Sequence, residues 1–283
     1  MKNLIIRSVT GILYVAIIIA SFLKPIAMIG LFALITGMTI WEFTGLINDK
    51  VNANVNRFIT TIAGVYLFIA ITAFCSDFIP TGAVFIPYIV TLIYLFVAEL
   101  YTKNTQPIVT WAYTMLSQMW IAIGFAMISV ISYVAQDYYT TFSFVLPLSI
   151  FIMIWMNDTG AYCTGSLMGK HKLFPRISPN KSWEGSIGGG VFVIIVSIVI
   201  AYFVQKYDLQ CPLKSKLQWI GLGLVVIIFG TWGDLIESLF KRTLGIKDSG
   251  TILPGHGGML DRFDSALLAF PAAVVYVYTI SMV

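Results

Sequence analysis

Stretches free of Asp, Glu, Lys and Arg alternate along the chain with short polar joints. They occur at about 8–23, 25–41, 58–76, 81–98, 109–134, 138–157, 185–205, 217–233 and 265–283. A helix crossing the hydrocarbon core needs about 20 mostly apolar residues, within a range of about 17–25. Each run approaches that length, so the pattern predicts an all-α, polytopic membrane protein of about nine transmembrane helices. The first run is short, and snorkelling of Arg7 would lengthen it. Lys2 and Arg7 ahead of it resemble the start of a signal peptide. No A-x-A-like exit follows, and Lys24-Pro25 leads into a second apolar run, so the segment reads as a retained span. Pro87 and Pro147 lie inside apolar runs and are expected to kink their helices, which lipid-embedded helices tolerate. There is no 20–50-residue repeat and no low-complexity linker. The expectation is one membrane domain over 1–283, with N-terminal helices in 1–150 and the chemistry in 151–283.

Composition supports lipid as the solvent. Of the 283 residues, 58% are hydrophobic and 11% charged, against about 25% charged in soluble domains, and the mean hydropathy is +0.89. Cys75, Cys163 and Cys211 are odd in number and far apart, with no spacing that suggests a disulfide framework or a zinc site. Placement of charge says more than the net +4. With nine spans, thirteen of the 17 Lys and Arg fall on the face of the N-terminus, and only Lys24, Lys206, Lys214 and Lys216 on the other. Positive charge marks the cytoplasmic side, so the N-terminus is expected inside and the C-terminus outside. Carboxylates share the bias, with only Asp77, Asp137 and Asp208 outside. Acidic residues do not set topology, so a site on the cytoplasmic side is the expected cause.

Two connections on that side are long and polar, 157–184 and 234–264. If the eighth helix continues through 234–242, Asp234, Ser238 and Lys241 fall at i, i+4 and i+7, with Glu237 among them. Carboxylate and lysine on one stripe suit a metal-bound polyphosphate. Gly255-His256-Gly257-Gly258 offers a loop able to take positive φ and turn successive N–H groups toward an anion. Asp261 and Asp264 follow three apart, on one face if helical, where they suit a divalent cation. In the first connection, Asp158 ends the sixth span. Lys170, Lys172, Arg176 and Lys181 form a basic group that would equally anchor on anionic lipid. Ser178-Pro179 is expected to turn the chain, and Ser182 to cap the seventh helix with Glu184 in its first turn. Gly160, Gly165 and Gly169 suit close helix packing or a mobile turn, and the Gly185–Gly190 run suits helix–helix contact.

The run from Ser238 through Asp264, with Ser238, Lys241, Arg242, Lys247, Asp248, His256, Gly257, Gly258, Asp261, Arg262 and Asp264 in place, resembles the signature of phosphatidate cytidylyltransferases, the CDP-diacylglycerol synthases. Asp158 through Gly169, with Ser178 through Gly185, resembles a second block of that family. Asn180 and Ser182 stand there where Lys or Ser, and Thr, are usual. The first 150 residues match only in hydropathy. The resemblance implies CTP + phosphatidate → CDP-diacylglycerol + pyrophosphate, the precursor step of phospholipid synthesis. It implies a helical fold with a cytosol-facing polar cavity in the cell membrane, commonly as a homodimer, with no nucleic-acid partner. It implies Mg²⁺ on Asp234 and Asp261, with room for K⁺ beside it. The catalytic set expected is then Asp234, Lys241, Arg242, Lys247, His256, Asp261, Arg262 and Asp264. Substrate contacts are expected from Asp158, Lys181, Ser182, Glu184, Ser238, Gly257 and Gly258. His256 is expected to orient a phosphate rather than carry a proton. Two rivals are a CTP-dependent polyprenol kinase, which would release CDP, and a transporter. Gathering of charge at one face, and no inverted repeat, weigh against the transporter.

Overall fold

The computed structural model describes residues 2–135, 140–250 and 257–281. Each apolar run becomes a helix. In chain order these are α1 (Lys2–Ser21), α2 (Pro25–Val51), α3 (Arg57–Cys75) and α4 (Ile86–Ala98), the last flanked by 3₁₀ turns at Gly82–Phe85 and Glu99–Tyr101. Then come α5 (Pro107–Leu116), a π-helical turn Ser117–Ala122 and α6 (Ile123–Ser132). A hairpin of β1 (Tyr133–Ala135) and β2 (Thr140–Phe142) leads to α7 (Val145–Met168). A second hairpin, β3 (Lys172–Phe174) and β4 (Ser178–Ser182), precedes α8 (Trp183–Lys206), α9 (Lys216–Thr243), the single turn α10 (Leu260–Phe263) and α11 (Ala266–Ser281). Among the described residues, seven helical stretches are long and apolar enough to cross a membrane. This is a multi-pass membrane protein.

The chain divides into two compact units, one of residues 1–142 with 244–263, the other of 143–243 with 264–283. In the first unit α2 is the central element. Met28, Phe32, Ile40, Phe43 and Ile47 along it are fully buried. Phe32 packs with Phe125 of α6 and with Phe263 of α10 at centroid distances of 6.4 and 6.3 Å, and Phe125 meets Phe263 at 5.2 Å edge to face. Tyr14 of α1 adds a fourth ring at 5.7 Å from Phe263 and donates its hydroxyl to the Arg262 carbonyl at 3.2 Å. Edge-to-face aromatic pairs contribute about 0.5–1.5 kcal/mol each beyond area, which is how a four-residue helix is held. The π turn lets Gln118 reach the Thr60 carbonyl of α3 at 3.0 Å.

The second unit is built on close backbone approach. A Cβ on Gly160 of α7 would come within 2.9 Å of the Phe192 ring and 3.0 Å of the Gly189 Cα, and one on Gly189 would lie 2.6 Å from the Asn157 carbonyl. Small residues let membrane helices meet at their backbones, so the close-packing alternative holds at Gly160 and in the Gly185–Gly190 run. α9 and α11 are tied by Tyr276, whose hydroxyl donates to the Gln218 carbonyl at 2.8 Å. Phe151 of α7 meets Phe270 of α11 at 4.9 Å.

The boundaries differ where polar residues were read as helix ends. α2 runs on past Glu42 to Val51, and α7 starts at Val145, not near 138, and continues beyond Asp158 to Met168. Pro87 and Pro147 stand at helix starts, not in the helix interiors where a kink is expected. Both lie in a first turn, where no N–H is needed for the helix ladder, while Pro271 sits inside α11. The Ser178-Pro179 turn is instead strand β4, paired Lys172 to Ser182 and Phe174 to Ser178.

Candidate functional site

In the second unit α7, α8, α9 and β4 enclose a pocket of about 500 Å³. Asp158 enters from α7, Asn180 and Lys181 from β4, Ser182 and Ser186 from the start of α8, and Thr231 and Asp234 from α9. Each is placed by a local device. Ser182 is the N-cap of α8 and accepts the Gly185 N–H at 3.1 Å, as its sequence position predicts. That cap ends β4 and fixes Lys181 one residue before the positive end of the helix dipole. Lys181 Nζ lies 2.5 Å from Asp234 Oδ2, with each side chain 26% exposed. On α9 the continuation past 233 holds as expected, and Ser238 donates to Asp234 Oδ1 at 3.2 Å from one turn on.

Asp264 joins this group. It stands in the turn between α10 and α11, takes the Ser265 N–H on Oδ1 at 2.6 Å, and lies within charge–charge range of Asp234, Asp158 and Lys181. Gly233 makes the approach possible, since a Cβ there would sit 2.5 Å from the Asp264 carbonyl. Three carboxylates and one lysine thus lie within electrostatic reach of one another in a single unit, beside a pocket lined in part by the start of α8. Such a site can take a cation, or an anion carried with one.

Other predicted residues are engaged nearby. Lys241 pairs with Glu237 at 2.6 Å, and Glu237 is fully buried. Arg242 Nε donates to the Ile177 carbonyl at 3.4 Å. Glu184 does not line the pocket. It accepts the Lys170 and His171 N–H groups at 3.2 Å and stands 2.6 Å from His171 Nδ1, so it ties the β3 end of the hairpin to α8.

The first unit holds the rest of the signature. Asp261 Oδ2 accepts the Gly258 N–H at 2.7 Å, the Ser249 N–H at 2.9 Å and the Ser249 hydroxyl at 3.0 Å. Gly257 has φ +86, and a Cβ there would lie 2.7 Å from Asp261 Oδ2. Lys247 and Arg262 are exposed. Gly255 and His256 lie outside the described residues. Of that loop the Gly258 amide does turn toward an anion, but the anion is the protein's own Asp261, and the next two amides, Met259 and Leu260, donate to Glu42 at 2.9 and 3.2 Å. Asp261 and Asp264 do not share a helix face, because a turn at Asp264–Ser265 separates α10 from α11.

Sequence reasoning missed Glu42 and Ser249. A signal was available for Glu42, because an ionisable residue inside an otherwise apolar run marks a site by default. The charge-free run 25–41 stops one residue short of it, which hides that the helix continues on both sides.

The fold and this site define a multi-pass membrane protein with carboxylates and a lysine grouped beside a pocket. The chain matches the cytidylyltransferase family over residues 5–280 and belongs to it. Among its relatives are proteins named phosphatidate cytidylyltransferase from Staphylococcus haemolyticus (strain JCSC1435), 45% identical, Staphylococcus aureus (strain COL), 44%, and Staphylococcus epidermidis (strain ATCC 35984), 43%. Each alignment runs over 174 residues, 60% of this chain and 60% of the relative.

Proposed function

We propose that this protein is a phosphatidate cytidylyltransferase, making CDP-diacylglycerol and pyrophosphate from CTP and phosphatidate. The observation that carries the reading is the Asp158–Lys181–Asp234–Asp264 group beside the pocket of the second unit. Family membership and the names of the relatives agree with it. In the reaction a phosphatidate phosphate oxygen bonds to the α-phosphorus of CTP. The bond from that phosphorus to the α–β bridging oxygen breaks, and the oxygen leaves with pyrophosphate. The attacking phosphate is already anionic, so no strong base is required. Catalysis then rests on positioning and charge stabilisation, as in other phosphoryl transfers. Lys181 next to the α8 N-terminus suits one phosphate, since a helix start and a lysine both favour an anion.

Mg²⁺ fits the donor chemistry. It takes one or two carboxylates and completes an octahedral shell with water and substrate phosphates. Asp158, Asp234 and Asp264 offer only oxygen, and among the described residues no three His, Cys, Asp or Glu side chains form a ready cage. Of the two ligands the family resemblance implies, Asp234 and Asp261, Asp234 belongs to this group; the metal, with K⁺ as a second ion, would neutralise the phosphate oxygens and the leaving pyrophosphate. The orientation proposed keeps the N-terminus and the pocket cytoplasmic, where CTP is found, and the C-terminus outside, with the lipid headgroup entering from the bilayer interface. A homodimer belongs to the same reading.

Purified protein with labelled CTP, phosphatidate and Mg²⁺ should yield a labelled CDP-lipid and pyrophosphate in equal amounts. Release of CDP with a phosphorylated polyprenol, or no lipid-linked label at all, would overturn the proposal.

A further inference from the structure

Glu42 is a carboxylate inside a 27-residue apolar helix, 7% exposed, and it belongs to neither signature block. Unpaired charge is costly there, yet its oxygens are well supplied. Oε1 accepts the Ser249 hydroxyl at 2.5 Å and the Leu260 N–H at 3.2 Å, and Oε2 accepts the Met259 N–H at 2.9 Å. Ser249, itself 1% exposed, is the link onward, because its N–H and hydroxyl both reach Asp261 Oδ2. Gly258 completes the set of donors on that oxygen. Cβ atoms on Gly250 or Gly258 would run into the Glu42 carboxylate, so the loop backbone is seated directly on it.

We infer that Glu42 is the positioning residue for Asp261: it holds Ser249 and the Met259–Leu260 backbone so that Ser249 and Gly258 fix the Asp261 carboxylate. What Asp261 does there rests on the cytidylyltransferase reading above, but the buttress does not. The pattern of donors explains why the residue is a carboxylate. Three donors, one hydroxyl and two amides, converge on two oxygens. A glutamine of the same shape would set its own N–H₂ against one of them. Hydrogen-bonded partners standing behind a metal-binding carboxylate typically change affinity or activity 10–100-fold when removed.

Two readouts test this in detergent-purified full-length protein, with Glu42→Gln and, in case that variant fails to fold, Ser249→Ala. The first is amide hydrogen exchange without nucleotide or metal. Glu42→Gln should lose protection at Met259 and Leu260, which it touches, and also at Ser249 and Gly258, which donate to Asp261, while α3 and α6 keep theirs. Ser249→Ala should lose protection at Gly258 while Met259 and Leu260 keep theirs. The second is a kinetic cycle with Asp261→Asn. Glu42→Gln should lower kcat about 10–100-fold, and the double variant should be no slower than Asp261→Asn alone, since groups acting as a unit are non-additive. Unchanged protection at Ser249 and Gly258, or losses that multiply in the double variant, would overturn the inference. If the wild type makes no CDP-lipid, the functional reading fails, and exchange alone decides the buttress.

Discussion

Two glycines one turn apart on α9 separate close packing from helix propensity. Gly233→Ala places a Cβ 2.5 Å from the Asp264 carbonyl oxygen and 3.1 Å from the Ser265 Cα, whereas ordinary contact begins at 3.4 Å. The obstacle is backbone, so no side chain can swing aside. About 0.9 Å of movement is needed, the difference between those two distances. Overpacking of this kind costs about 1–3 kcal/mol, against up to about 1 kcal/mol gained by replacing glycine within a helix. Gly230→Ala meets only the Ser265 Cβ, at 3.9 Å, and keeps the gain without the clash. The displaced turn carries Asp264, and misplacing a reacting group by about 1 Å can cost about 10²-fold in rate. Gly233→Ala should therefore insert in the membrane, melt at or below the wild-type temperature, and turn over CTP about 10²-fold more slowly. Gly230→Ala should melt no lower than the wild type and keep its activity. Thermal unfolding in detergent and product formation per folded molecule measure both. Equal behaviour of the two variants would refute the packing account of Asp264.

Asp234→Asn and Asp261→Asn should each lose at least about 10²–10³-fold in rate, EDTA should abolish turnover until Mg²⁺ is restored, and the double variant should match the worse single; losses that multiply would rule out a shared metal. Lys181→Ala should cut turnover strongly, while Lys170→Ala and Lys172→Ala should change it only a few-fold, about 1 kcal/mol each at an anionic surface; equal small effects in vesicles would remove Lys181 from the site. A cysteine at exposed Arg176, in a chain lacking Cys75, Cys163 and Cys211, should resist an impermeant thiol reagent in intact cells and react after permeabilisation; labelling of intact cells would reverse the orientation.

What the sequence determined by itself is the set of helices and several of their ends. An apolar run of about 20 residues has one stable answer in lipid, because every N–H and C=O must be paired within the segment. Ser182 as a cap, the extension of α9 beyond 233 and the meshing glycines are local or face-level signals, and they are legible for that reason. The tertiary structure decided what the charged residues face. Ser249 lies 207 positions from Glu42, and Met259 lies 217 away, so nothing in the spacing of either segment announces the pair. The sequence places Glu184 and Gly258 at the substrate and Lys241 in the catalytic set, and the fold gives each a partner within the protein. A single chain read by periodicity reveals which face of a helix is apolar but not which donor the fold brings to a buried carboxylate. The return of 244–263 to the first unit shows the same limit. It depends on Phe263 finding Phe32, Phe125 and Tyr14, a choice of aromatic neighbours made only when the helices pack.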